Sequence, residues 1–540
     1  MPELWAVIGL VAGVLAVTRL AGYARVPAPI LLLAAGFGVS FIPGVPEFAL
    51  DPHLMLSVII PPLLYAAAVE SGVVAIKRLV RPIVQLAFAL VLATAFAVAF
   101  VVHALLPSIP FPAALALGAI VAPPDAVSAI AIGRRVGLPR TVMSVLEGES
   151  LFNDAASLTI LRVAVAAFGT GAIAWGPAAG QFAWAVAGGV LAGLVVGGVL
   201  SAVRRLVGAP LTVTVLSLLT PFLAYLVGEE IRASGVLAVV TAGLLLGFRS
   251  PVDLPARVRL TETATWGALR FAVEGAVFAL IGLQLWAIVT AVDASAPHVL
   301  LAIIAVLATT IVVRPVWVWL GALVAGLWRP HSAERAKNLA VVSWSGMRGV
   351  ISLAAAQTLP LDTPGRAVLL TCTVAVIVGT LLVQGLSLPA VVRRLHIDAD
   401  PAEQEQAERE AARREASEAI AARIEEVARR TGSPPEQVRM MHRWAALRDW
   451  RSWGRDADSE EEDPADGEAG DAGSAELAPT DAGPGDRDAG EPGDLASGDG
   501  AAGAEVPPLP TLAVLRRWQQ EIVHIERDVL IRMRNSGRLS

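Results

Sequence analysis

Glu149, Asn153 and Asp154 stand in the stretch EGESLFNDAASL, which begins at Glu147 and runs into a segment that is otherwise almost wholly apolar. Carboxylates and carboxamides in such a place are oxygen donors for a proton or a cation. At about 100° per residue, Glu149, Ser150, Asn153, Asp154 and Ser157 fall near 0°, 100°, 40°, 140° and 80°. The five share one helix face. Lipid cannot satisfy that face, so it must look into protein or a hydrated cavity. A hydrogen-bonded cluster gluing helices together is the bland alternative, and two carboxylates are a costly way to build one.

Two further stretches carry chemistry. In GAIVAPPDAVSAIAIGRR, Pro123 and Pro124 lack N–H groups, so the helical ladder breaks there and frees carbonyls upstream. Asp125 follows where a second half-helix would start, and a carboxylate there meets the positive end of a helix dipole. A simple proline kink with a hydrogen-bonded acid is the alternative. In VVSWSGMRGVISLAAA, Gly346 and Gly349 flank Arg348 and weaken the helix around it. Freed carbonyls and carboxylates are hard oxygen ligands suited to a small cation, and no Cys/His cluster suggests a transition metal.

These groups need elements that hold them. The chain has 540 residues, 17% of them charged and 55% hydrophobic, with a mean hydropathy of +0.63. That composition predicts a polytopic membrane protein rather than an ordinary soluble one. The single cysteine, Cys372, excludes a disulfide framework and reads as packing. The opening apolar stretch, Leu4 to Leu20, lacks a basic leader and a small-residue cleavage site, and reads as a retained helix.

Breaking the chain at turn residues and charge clusters predicts an all-α protein with about thirteen spans: 3–22, 27–43, 52–69, 82–106, 111–132, 141–168, 178–202, 209–227, 233–248, 266–291, 297–325, 336–358 and 366–393. With the deeply placed arginines set aside, the odd-numbered connections and the C-terminal exit carry nineteen Lys and Arg. The even-numbered ones carry only Arg232 and Arg366. This bias places the N-terminus outside and the C-terminal tail in the cytoplasm. The interrupted spans, fifth and twelfth, are seven apart and therefore oppositely oriented. Broken helices at matching places of inverted halves point to a transport site at the membrane midplane.

The tail divides by composition. Residues 1–395 form the membrane domain and 396–454 a helical cytoplasmic segment. Residues 455–508 form an acidic linker expected to be disordered, and 509–540 a C-terminal amphipathic helix against a partner surface or the membrane. Asp456 to Glu505 holds seventeen acids and one base, Arg487, so it carries −16 of a net charge of −6 and leaves +10 on the rest. It reads as a solvated linker, with a tether to basic cytoplasmic loops as the alternative. No nucleophile–base pair, P-loop or metal-binding His cluster points to an enzyme. No cofactor and no nucleic-acid partner are expected.

Residues 1–395 resemble the Na+/H+ exchanger family, the monovalent cation:proton antiporters that include bacterial NhaP-like proteins and the animal exchangers. The resemblance rests on GESLxND (Gly148, Glu149, Ser150, Leu151, Asn153, Asp154) and on WSGMRG, with Met347 for the family's Leu. PPLLYAAA at Pro61 to Ala68 and IGLQL at Ile281 to Leu285 add to it. It implies thirteen helices in inverted repeats, two interrupted and crossing, with a core domain moving against a dimerising domain, and a homodimer in the plasma membrane. By the same resemblance Asp154 binds Na+ or a proton, Asn153 supports it, and Ser150 is an oxygen ligand. Glu149 pairs with Arg348, and Asp125 matches the Asp of a T-D-P-like segment. Pro124 replaces the Thr of that segment and Ala126 its Pro, so only a backbone carbonyl remains as ligand at 124 and the ion preference stays open.

Glu70, from the third span, and Ser157 are further candidates; cytoplasmic snorkelling of Glu70 is the alternative. Arg314, next to Pro315, reads as structural, capping freed carbonyls or facing an acid such as Glu274. Arg162 reads as a snorkelling surface residue and His103 as packing. Burial penalises an ionised Asp154, and either a proton or a cation relieves that penalty, so the two exclude each other. The expected activity is one-for-one, electroneutral exchange of Na+, and of Li+, for H+. The alternatives are K+ or mixed selectivity and, from a different class, a channel or a transport-inactive sensor signalling through the tail.

Overall fold

The computed structural model describes residues 2–24, 28–42, 55–168, 174–207, 209–290, 297–324, 333–397, 401–431, 435–436, 438–443, 445, 512–536 and 538. Among them there is no strand. The helices of the membrane body are α1 (Pro2–Ala24), α2 (Ala28–Val39), α3 (Ile60–Glu70), the short α4 (Val73–Arg78), α5 (Val80–Leu105), α6 (Phe111–Val121) and α7 (Ala126–Arg135). They continue as α8 (Arg140–Ala166), α9 (Trp175–Val207), α10 (Pro210–Glu230), α11 (Gly235–Asp253), α12 (Ala256–Thr290), α13 (Pro297–Val324), α14 (Ala333–Trp344), α15 (Val350–Gln357) and α16 (Arg366–Arg394).

Seven of these, α5, α9 to α13 and α16, are long and apolar enough to cross a membrane unaided by any neighbour. Of the others, α2 and α3 are short, α6–α7 and α14–α15 are interrupted, and α8 carries the polar face. Taking α6 with α7 and α14 with α15, the described helices make thirteen passes, one for each predicted span. Boundaries moved most at the tenth, where α12 begins at Ala256, about three turns ahead of the predicted 266. The extra turns are amphipathic rather than apolar, and hydropathy passes over them.

Two groups of passes emerge from the packing. Helices α1 to α3 pack with α9 to α12, and α5 to α8 pack with α13 to α16. Small residues set the closest approaches. A Cβ at Gly36 on α2 would run into the Ala279 carbonyl of α12, and one at Gly282 into the Leu33 carbonyl of α2. Backbones this close gain dispersion contacts that lipid cannot supply. The two interrupted passes both lie in the six-pass group, each unwound at its middle, at 122–125 and at 345–349.

C-terminal to the membrane body, α17 (Pro401–Thr431) and α18 (Leu512–Ser536) pack through Ile420, Ile424 and Ile522. Of the apolar stripe expected on 509–535, Ile522 and Ile525 thus meet α17. The acidic stretch 455–508 lies outside the described residues, as does most of 434–453.

Candidate functional site

The two unwound stretches cross and are tied to each other. The Asp125 N–H donates to the Met347 carbonyl at 2.7 Å. Arg348 reaches from one stretch to the end of the other pass: its Nε donates to the Val121 carbonyl at 2.7 Å and its Nη2 to the Ala122 carbonyl at 3.0 Å. Its Nη1 donates to the Gly346 carbonyl, and the Thr380 hydroxyl accepts from its backbone N–H at 3.0 Å. Prolines 123 and 124 lack the N–H groups that would serve the Ala119 and Ile120 carbonyls, and the Asp125 N–H is turned to Met347, so the end of α6 lacks helical donors. The Arg348 guanidinium serves the next two carbonyls, Val121 and Ala122, and sets a cation at the negative end of the helix. At the other side of the break, Asp125 caps α7. Its Oδ2 accepts from the Ser128 hydroxyl at 2.7 Å and from the Ser128 N–H at 3.4 Å.

Helix α8 lies against this crossing. Asn153 Nδ2 donates to the Pro124 carbonyl at 2.9 Å, and the Ser157 hydroxyl donates to the Ala119 carbonyl at 2.8 Å. Both side chains serve carbonyls freed near the break, so the polar face of α8 is matched to the interrupted pass. The Ser150 hydroxyl bonds its own helix, at the Glu147 carbonyl, at 3.1 Å. Asp154 is 4% exposed, one helical turn beyond Ser150.

Glu149 is where the structure corrects the sequence. Its carboxylate is gripped by Arg314, not by Arg348, through Nη1–Oε1 at 2.5 Å and Nη2–Oε2 at 2.7 Å, with both side chains 1% exposed. Arg314 Nε also donates to the Val342 carbonyl at 2.9 Å, which joins α8, α13 and α14 at one point. The two-pronged geometry of guanidinium on carboxylate explains how a buried pair is tolerated here. Arg348 is occupied by carbonyls. Glu274, the other acid considered for Arg314, belongs to Arg270, four residues before it, at 2.7 Å.

A cavity of about 70 Å3 opens beside Asp154. Asp125, Ser150, Asp154 and Ser352 face it from the six-pass group, and Leu64, Glu274 and Phe278 from the seven-pass group. It sits on the seam between the two groups, where sliding of one against the other would change access. Three oxygen-bearing side chains, Asp125 from the first break and Ser150 and Asp154 from α8, meet there, together with Pro124. They are hard donors and suit an alkali cation as cargo. Ser352, on α15, is a member that sequence reading missed. Its buried hydroxyl has no hydrogen-bond partner among the described residues, nor has Asn153 Oδ1. The only sequence signal for Ser352 is its position one turn past Gly349, on the half-helix that starts at the break.

Glu70 does not line this cavity. It pairs with Arg270 at 3.3 Å and faces a neighbouring, smaller cavity. Arg162 forms a partly exposed pair with Glu229 at 2.7 Å, and His103 Nδ1 lies 3.0 Å from the Ile109 carbonyl, so neither approaches the site. A separate buried pair, Arg204 with Glu262 at 3.4 Å, is joined by the Tyr65 hydroxyl, which accepts from Arg204 at 3.1 Å. It braces α3, α9 and α12.

Comparison with known proteins agrees with this architecture. Residues 7–394 match the family model described as sodium/hydrogen exchanger, transmembrane. A Na+/H+ exchanger of Mycobacterium tuberculosis is 33% identical over 416 residues, covering 74% of this chain and 76% of that protein. The Na+/H+ antiporter ApNhaP of Aphanothece halophytica is 30% identical over 437 residues, 80% of this chain and 81% of its own length. A sodium, potassium, lithium and rubidium/H+ antiporter of Bacillus pumilus is 31% identical over 387 residues, 67% of this chain and 57% of that protein. The fold is that of the sodium proton antiporter MjNhaP1 of Methanocaldococcus jannaschii, with a TM-score of 0.58 at 20% identity over 74% of this chain and 99% of that structure. With thirteen passes, two crossed breaks and a family match over nearly the whole membrane body, the chain belongs to the Na+/H+ exchanger family and is a multi-pass membrane antiporter, not an enzyme.

Proposed function

We propose that the protein exchanges Na+ for H+ one for one, with Asp154 as the single group that holds either. The carrying observation is the buried Asp154 carboxylate in a small cavity on the seam between the two helix groups. Burial disfavours its bare charge, and a proton or a cation each removes that penalty. One charge is neutralised in either loaded state, so the loaded carrier moves the same net charge in both directions and exchange is electroneutral. Glu149 is occupied by Arg314 and Asp125 by capping α7, so neither serves as a second carrier. Ser150, Ser352 and the Pro124 carbonyl complete the oxygen shell, and Asn153 positions that carbonyl.

Mixed selectivity for Na+, Li+ and K+ is the second reading. It is favoured by the loss of a hydroxyl at Pro124 and by the Bacillus pumilus relative, whose name includes potassium. The Lys/Arg bias supports an orientation with the N-terminus outside and the tail in the cytoplasm, and membership of the family favours the plasma membrane and a homodimer.

The test is reconstitution into proteoliposomes with an enclosed pH dye. A pH gradient should dissipate on adding Na+ or Li+, Asp154→Asn should abolish the response, and an imposed membrane potential should leave the rate unchanged. Exchange surviving in Asp154→Asn would remove Asp154 as carrier, and voltage dependence would require a second titrating carboxylate.

A further inference from the structure

Two cavities meet at four residues. The Asp154 chamber and a second cavity of about 60 Å3, lined by Glu70, Arg134 and Glu147, share Ala67, Ser150, Leu151 and Arg270. Three of the four are short or uncharged. Arg270 alone has the length and charge to obstruct the passage between them. Its guanidinium is tied on both sides. Nη1 lies 3.3 Å from Glu70 Oε2, and Glu70 lines the outer cavity. Nε lies 2.7 Å from Glu274 Oε1, and Glu274 lines the chamber. The side chain is 21% exposed, so it is not a solvated surface cation. Arg270 and Ala67 stand on α12 and α3 of one helix group, while Ser150 and Leu151 stand on α8 of the other. The neck therefore lies on the seam.

We propose that Arg270 is the door between the outer cavity and the Asp154 chamber, latched by Glu70 without and Glu274 within. The inference rests on the antiport reading above, with the outer cavity on the cytoplasmic side. Closed, the door places a fixed positive charge in the path of every approaching cation. An arriving cation takes over Glu70 as the guanidinium turns to Glu274, so the exchange of partners opens the neck. Arg270 thereby sets how readily cations reach Asp154 from the cytoplasm and acts on Asp154 only through access.

The test reads access directly. Leu63→Cys, in a Cys372→Ala background, places the one thiol in the chamber wall but not in the outer cavity. Inside-out vesicles are treated with a cationic, membrane-impermeant methanethiosulfonate. Adding Arg270→Ala should speed labelling by on the order of tenfold, the effect of one partly screened unit charge at short range. It should also lower the KM for Na+. Arg270→Lys, which keeps the charge, should label near the parent rate. Glu70→Gln, which removes only the outer latch, should also accelerate labelling. Parent-rate labelling in an Arg270→Ala protein that elutes as folded overturns the door. If that variant does not fold, parent-rate labelling in Glu70→Gln overturns it instead. Labelling makes no reference to exchange, so a parent protein that labels but does not exchange Na+ for H+ refutes the antiport reading and leaves the door standing.

Discussion

Removing Arg314 is the sharpest perturbation of this architecture. Arg314→Ala leaves Glu149, 1% exposed, with two oxygens that had shared one guanidinium at 2.5 and 2.7 Å. Breaking a buried pair by deleting one partner costs about 3–5 kcal/mol, because the other charge remains buried. The Val342 carbonyl loses its donor as well, adding about 1 kcal/mol. The informative experiment is a pair of double-mutant cycles, read by SDS-induced unfolding in mixed micelles and followed by tryptophan fluorescence. Glu149→Gln with Arg314→Ala should show a coupling of roughly 2–3 kcal/mol, as expected for residues in direct contact. Glu149→Gln with Arg348→Ala should show about 0.5 kcal/mol or less, because Arg348 serves the carbonyls of Val121, Ala122 and Gly346. If the second cycle gives the larger coupling, the assignment of the ion pair is wrong.

Two further substitutions probe the cavity. Ser352→Ala removes a buried hydroxyl that has no other partner among the described residues. Loss of one neutral oxygen donor to the cation should raise the KM for Na+ about three- to tenfold with little change in folding; an unchanged KM in vesicle assays would take Ser352 out of the shell. Gly349→Ala places a Cβ 2.5 Å from the Asp125 carboxylate. Asp125 must then give way, so exchange should fall at least tenfold, and a fully active variant would show that the position of Asp125 is not critical.

Much of the site was readable in one dimension. The proline pair at 123–124 and the glycines around Arg348 announced two breaks, and the breaks are there, at 122–125 and 345–349. The period of α8 put Glu149, Asn153, Asp154 and Ser157 on one face, and all four are buried against protein. These features are local: hydropathy over twenty residues, a missing N–H, and a spacing of 3.6 residues decide them wherever the helix ends up.

Partners were another matter. The resemblance gave Glu149 to Arg348 and left Arg314 to carbonyls or to an acid such as Glu274, and the sequence separations from Glu149, 165 to Arg314 and 199 to Arg348, carry no preference. Choosing between them takes the rotation of α13 about its axis and the depth at which Arg348 meets the end of α6. Arg270 looked like one more cytoplasmic flank charge, yet it joins Glu274 one turn on and Glu70 across the helix pair because α12 packs beside α3. Sequence alone determined that the chain is a helical multi-pass membrane protein, that two passes are broken, and that a carboxylate pair lies in mid-span, because a bilayer imposes those constraints on each segment separately. Which arginine answers which acid, and which side chains enclose the chamber, was settled only when helices distant in the chain came into contact, since a hydrogen bond depends on angles and depths that no single segment contains.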